Sequence, residues 1–311
     1  MGRAIASRII DAVPTLLLVL TLVFLALRVL PGDPALVALG ENATPDQLAL
    51  FRHRMGLDVP LWRQYILFLL GVVRLDFGTS FMNQTPIIQL VGESLPYTLA
   101  LTAAATVVGV VFGVPLGVLA ATRKGRPADM FARLVALFGF TVPDFYLAAL
   151  LLIEFALNLA WFPINGAGEG FVDQLYHLVL PALTLGLVKS GFISRLTRSS
   201  LLEVLGRDYV RTAWAKGARG ARVIYRHALR NALLPVATGL SISILSTLSG
   251  SVAIELIFGR PGLGSLLIGA IETRDYPVVQ ATLEVFALLV VGVNLVMDLA
   301  YVLIDPRLRA R

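Results

Sequence analysis

The stretch Leu95–Thr122, LPYTLALTAAATVVGVVFGVPLGVLAAT, runs 28 residues without a charged side chain. About 20 residues of α-helix cross a hydrocarbon core of roughly 30 Å, so this segment can span a bilayer. Working outward, Asn231–Ile254 gives a second uncharged run of 24 residues. Four further spans carry one or two charges: Ile9–Leu30, Leu134–Ala160, His177–Ser194 and Val278–Ile304, the last holding Glu284 and Asp298. The whole chain agrees with its longest run, at 57% hydrophobic residues, 15% charged and a mean hydropathy of +0.80, against about 25% charged in a soluble domain. The expectation is an all-α integral membrane protein with six transmembrane helices.

Arg3 and Arg8 ahead of the first span also suit a secretory signal, but its apolar stretch is longer than the usual ~7 to 15 residues and no A-x-A site follows. It reads as a retained helix. Loop charge sets the orientation, because Lys and Arg near helix ends resist translocation. Residues 1–8, 122–133, 195–230 and 305–311 hold 18 Lys and Arg, whereas 31–94, 161–176 and 260–277 hold 6. Both termini are therefore expected in the cytoplasm. A pI near 9.9 follows from that inner-face charge and gives little support to nucleic-acid binding, for which no module is present.

Several chemistries are excluded. There is no cysteine, so disulfides, thiol catalysis and Cys-ligated metals are ruled out. The three histidines, His53, His177 and His227, are far apart in loops or near helix ends, with neither metal-ligand spacing nor a general base at bilayer depth. No G-x-x-x-x-G-K-[ST] loop surrounds Lys124, Lys189 or Lys216. The chain is expected to be non-catalytic, and to bind no metal, cofactor or ATP by itself.

Two regions follow from this pattern: residues 1–94, a first helix with an outward segment, and residues 95–311, a five-helix core containing a cytoplasmic loop at about 195–235. In the outward segment Pro31 and Pro34 flank Gly-Asp and stop the helix. Thr44 reads as an N-cap with Pro45 at the first helical position, leading a short helix over Gln47–Met55. Trp62, Tyr65, Phe68 and Leu69 recur at helical spacing. They suit either an amphipathic helix on the membrane face or ordinary packing.

Between the fourth and fifth spans lies Asp208–Pro235, DYVRTAWAKGARGARVIYRHALRNALLP. Ala213, Ala215, Gly217, Ala218, Gly220 and Ala221 carry little side chain, so a short helix ending at Gly217 lets another protein approach its backbone. Arg211, Lys216, Arg219, Arg222, Arg226 and Arg230 supply charge for an acidic protein surface or for anionic lipid headgroups. Positive-inside topology alone also accounts for them.

With its DYVRTAWAKG opening and HALRNALLP close, this loop resembles the cytoplasmic loop of membrane subunits of ATP-binding-cassette importers, in the variant of the dipeptide and oligopeptide permeases. Further resemblances run in order along nearly the whole chain: Leu30-Pro31-Gly32-Asp33-Pro34, Met55–Pro60, Leu75–Ser80, Phe140–Phe145, Leu180–Gly186 and Pro261–Gly264. Importers at large begin the loop motif Glu-Ala-Ala, where this chain has Arg211-Thr212-Ala213, and reach a Leu-Pro pair by a shorter route than Gly217 to Leu234-Pro235. The missing Glu puts in doubt contacts specific to that carboxylate.

The resemblance implies a type I importer permease fold in a bacterial or archaeal plasma membrane. It implies a coupling helix at about Asp208–Lys216 seated in a cleft of a nucleotide-binding subunit, with Asp208, Tyr209, Arg211, Thr212, Ala213, Ala215, Lys216, Gly217, His227, Arg230, Asn231 and Pro235 as its residues. Implied partners are a paralogous second permease completing the pathway, two cytoplasmic ATPase subunits holding ATP and Mg, an external solute-binding protein and the lipid bilayer. Implied substrates are dipeptides or oligopeptides, with glutathione, nickel chelates and oligosaccharides as alternatives. Arg274, Asp275 and Tyr276 are either binding-protein contacts or a plain turn.

Charges at bilayer depth are functional candidates because lipid penalises them. Arg28, Asp144, Glu154, Lys189, Glu255 and Asp298 qualify, with Glu284 near an outer end. Glu154, Glu255 and Asp298 are candidates for a translocation path or for helix-to-helix pairing, and Lys189 for snorkelling. Pro143 and Pro115 are expected to kink their helices, either opening backbone carbonyls to the pathway, which makes Pro143 a further translocation-path candidate, or serving packing alone. A self-sufficient channel or secondary transporter would carry matched interrupted repeats, and none is visible.

Overall fold

The computed structural model describes residues 2–29, 34–40, 43–54 and 56–304. The expected turn at residues 30–33, Met55, the basic segment 305–311 and the side chain of Arg28 lie outside the described residues. Helices run in the order α1 Gly2–Val29, α2 Pro34–Leu39, α3 Pro45–Arg54, α4 Leu61–Arg74, α5 Ile87–Thr122, α6 Pro127–Thr141, α7 Asp144–Leu151, α8 Gly170–Leu205, α9 Asp208–Ala215, α10 Gly220–Arg222, α11 Arg230–Ile257, α12 Leu263–Glu272 and α13 Tyr276–Ile304. Wide π-type turns extend α7 through Leu152–Asn158 and join α10 to α11 through Val223–Leu229. The one β feature among the described residues is an isolated bridge between Thr79 and Pro86.

Among the described residues, four helices are long and apolar enough to cross a membrane: Ile87–Thr122, Gly170–Leu205, the continuous Gly220–Ile257 and Tyr276–Leu299. The stretch expected to cross at 134–160 is not one rod. Pro143 has no N–H and pushes Val142 out of the helical region, to φ −77° and ψ 124°. The chain therefore breaks into α6 and α7, inclined at 98°, and makes a fifth span if the pair is counted as one. By contrast α5 continues as α-helix through Pro115. The first expected span is the 28-residue α1, whose apolar part is Ile10–Ala26. Val107, Val111, Phe131, Leu134 and Phe138, each more than half exposed, suit lipid contact and would be costly in water.

The backbone groups into two compact units. In the first, residues 97–261 with the end of α13 from 296, α8 is the hub, and α6, α7, α9 and α11 pack on it. Glycine permits a close crossing of α5 on α8: a Cβ on Gly186 would stand 2.4 Å from Val108 Cβ, and one on Gly117 2.6 Å from the Ser194 carbonyl oxygen. Small residues of this kind let membrane helices gain dispersion contact where no hydrophobic effect drives them together. Leu101, Ala105, Ala148, Leu185 and Ile254 fill one core, and Val118, Ala121, Leu201, Ala228 and Ala232 fill a second near the loop that carries α9.

The second unit joins residues 2–96 to 262–295. Tyr65 and Phe68 turn toward α1: the Tyr65 hydroxyl is 2.6 Å from Thr21 Oγ1, and both rings lie 5.3 Å from Phe24. Trp62, one turn before Tyr65, is 66% exposed. Thr44 and Gln47 form a reciprocal capping box at the start of α3, with Thr44 N–H donating to Gln47 Oε1 at 2.8 Å and Gln47 N–H to Thr44 Oγ1 at 3.4 Å.

Candidate coupling site

α9 is short because its sequence ends it at both sides. Gly206 and Arg207 leave the helical course before it, and Asp208 in the first turn favours the positive helix end. At its far end Gly217, at φ +78°, closes a Schellman motif: Gly217 N–H donates to the Trp214 carbonyl at 2.9 Å and Ala218 N–H to the Ala213 carbonyl at 3.2 Å. Nothing lies within 4 Å of where a Gly217 Cβ would stand. The helix end is therefore open to an approaching surface.

One residue pins the helix down. Val210 is fully buried, whereas Asp208, Tyr209, Arg211, Thr212, Trp214 and Ala215 are exposed and Ala213 half-buried. Asn231, in the first turn of α11, ties it from the side by donating to Tyr209 Oη at 2.8 Å. Trp214 lies over Gly220, where a Cβ would come within 3.3 Å of the indole. A helix held on one face, showing Tyr209 and Trp214 at 44% and 48% exposure, has the aromatic character of an interface core. Trp214 and the 63%-exposed Tyr225 are additions to the residues expected from sequence. Their signal was an aromatic side chain within a run of small and basic residues.

The remaining expected residues gather around this helix. Lys216 is its exposed C-cap, His227 belongs to the π-type turns, and Arg230, Asn231 and Pro235 occupy the first turns of α11, all but the half-buried His227 exposed. Arg219, Arg222 and Arg226 are exposed as well. Arg211 faces Asp208 across one turn at 3.7 Å. In the first turn of α6 Asp129, 1% exposed, accepts hydrogen bonds from Arg198 Nε at 2.9 Å, Arg198 Nη2 at 3.1 Å and Gly125 N–H at 3.0 Å. This fastens the turn before α6 to α8 and was not foreseen from sequence.

Elsewhere, burial separates the other expected residues. Glu255 is fully buried and accepts from Thr98 Oγ1 at 2.7 Å, a contact between helices. Glu154 is exposed and accepts from Asn158, and Asp298 is half-buried. Asp275 is 3% exposed, with its carboxylate taking hydrogen bonds from Ser80 Oγ at 2.5 Å and Phe81 N–H at 3.2 Å. It therefore locks the 79–86 hairpin in place and offers no free surface, while Arg274 beside it is exposed and Tyr276 half-buried. Lys189 does not snorkel: its ammonium lies 3.6 Å from Asp144 Oδ2 and donates to Ser246 Oγ at 3.1 Å.

Residues 113–310 match the family model described as "Binding-protein-dependent transport system inner membrane component", and residues 1–102 match its companion N-terminal model. The chain belongs to this permease family. Among curated proteins, it is 39% identical over 312 residues to the probable peptide ABC transporter permease protein y4tP of Sinorhizobium fredii, covering 99% of this chain and 100% of that one. It is also 39% identical over 309 residues to the glutathione transport system permease protein GsiC of Salmonella typhimurium, covering 99% of each. Among solved structures, an inward-facing MetNI methionine ABC transporter superposes with a TM-score of 0.59 at 19% identity, over 71% of this chain and 98% of that one. An amino acid ABC transporter follows with a TM-score of 0.52 at 15% identity, over 68% and 93%. These two establish a fold shared with chains of those transporters. The chain is accordingly a multi-pass permease of the inner membrane.

Proposed function

We infer that this permease forms half of the translocation pathway of an ATP-driven importer for short peptides, and that α9 transmits the work of ATP hydrolysis to it. The observation that carries the coupling role is the form of α9: eight residues, one buried anchor, and a glycine-capped end with open space beside it. A cytoplasmic ATPase closing on its nucleotide would push this helix, and α8 and α11, rooted in the same apolar cluster, would carry the displacement into the membrane. ATP and Mg belong to that partner. The peptide assignment rests on full-length likeness to a peptide permease, and likeness to glutathione permeases favours glutathione, itself a tripeptide, as the second reading.

The wider reading includes six spans with both termini cytoplasmic, a paralogous second permease, two ATPase subunits and an external solute-binding protein in a bacterial or archaeal envelope. The chain itself performs no chemistry. Purification from the native membrane in mild detergent tests this. A second permease and ATPases should co-purify, and a dipeptide or glutathione, presented by the recovered binding protein, should stimulate ATP hydrolysis. A chain recovered alone, transporting without ATP, would overturn the reading.

A further inference from the structure

The break between α6 and α7 opens a cavity of about 320 Å³, bounded by Thr141, Pro143, Asp144, Lys189, Phe192 and Ser246 among others. This lies at the small end of the range for ligand pockets. It lies within the bilayer-crossing part of the first unit. Lys189 lies five residues inside the expected end of its span at Ser194, and Ser246 eight inside the expected end of its own at Ile254, or roughly 8 and 12 Å at 1.5 Å per residue.

Two opposite charges meet in this cavity without sealing each other. Lys189 Nζ is 3.6 Å from Asp144 Oδ2, well beyond the ~2.7 to 2.9 Å of a charge-assisted hydrogen bond. Ser246 takes one of the three ammonium protons. The Lys189 and Asp144 side chains keep 14% and 24% exposure. Ionised groups left facing lipid are expensive, so this face must meet water or protein. A helix interrupted within the membrane is also how transporters bring polar groups to a substrate.

We propose that this cavity is a subsite for the charged ends of a peptide in transit, Lys189 receiving its carboxylate and Asp144 its ammonium group. The loose pair is a placeholder: with the pathway empty each charge only partly offsets the other, and a zwitterion of matching polarity replaces both partners without leaving a charge bare. Pro143 holds the pocket open, because the peptide unit it interrupts cannot close into helix. Phe192 and Val188 line the apolar side, which suits a substrate whose recognised features are its termini. The inference rests on the peptide-importer reading, and its test keeps the two apart.

Ile242→Cys and Ser246→Cys, made separately in a chain that has no cysteine of its own, are assembled into the complete complex. Each is treated with a charged, water-soluble thiol reagent while the complex turns over ATP, and labelling at that residue is read by mass spectrometry. Alanylalanine and glutathione, delivered by the binding protein, are the protecting probes. Labelling should occur, and whichever probe stimulates ATP hydrolysis should slow it several-fold. Lys189→Met or Asp144→Asn should abolish that protection while labelling without peptide persists. Absence of labelling, or labelling that a stimulating peptide leaves unchanged, overturns the subsite and leaves the importer reading standing. Failure of both probes to stimulate ATP hydrolysis overturns the peptide reading, and the subsite with it.

Discussion

Gly217 combines two constraints that substitution can separate. Its φ of +78° costs an ordinary L-residue roughly 1–2 kcal/mol, while the empty space beside it is what a docking partner would occupy. Gly217→Asn tolerates the left-handed region and should keep most of the peptide-stimulated ATPase activity. Gly217→Glu should insert into the membrane normally yet lose that stimulation about tenfold or more, equivalent to at least ~1.4 kcal/mol of docking. Equal loss in the two variants would assign the effect to backbone strain alone. At Asp129 the expectation concerns stability: Asp129→Asn leaves Arg198 without its paired carboxylate, and the detergent-solubilised chain should unfold at a lower temperature.

Among the elements, glycine brings α5 and α8 close together. Gly186→Leu would drive a side chain into Val108 and the Ala105 carbonyl, and should destabilise by about 1–3 kcal/mol, the usual cost of overpacking. Unfolding in mixed detergent measures it. The α6–α7 bend is expected to depend on Pro143, so Pro143→Ala should lengthen the distance between spin labels at the exposed Phe131 and Leu157, with an unchanged distance placing the bend in the neighbouring helices instead. Much of this scale was legible in the sequence. Uncharged runs located α5 and α11, the Thr44-Pro45 pair located the start of α3, and Gly217 located the end of α9. The 98° break at Pro143 was not, because proline says that a helix is interrupted and only packing says by how much. Nor were the buried states of Glu255 and Asp275: their partners Thr98 and Ser80 lie 157 and 195 positions away, beyond any local pattern.

For the whole molecule, the excess of Lys and Arg in alternate loops predicts which surfaces face the cytoplasm. Single cysteines at Lys124 and Lys216 should react with an impermeant thiol reagent only from the cytoplasmic side of the membrane, and one at Arg274 only from the opposite side. Labelling of all three from one side would remove the predicted topology. Apolar composition made the membrane legible, and the basic, small-residue loop pointed to a partner, but the spatial meeting of Asp144 with Lys189 required the folded chain. The central claim is that this permease moves peptide only as a coupled part of an ATP-driven assembly. The most direct test is uptake into proteoliposomes containing the purified assembly, with ATP inside and labelled peptide plus binding protein outside. The account predicts accumulation against the peptide gradient that needs both ATP and the binding protein and disappears with Gly217→Glu. Equal uptake by this chain alone, or by the assembly without ATP, would contradict it.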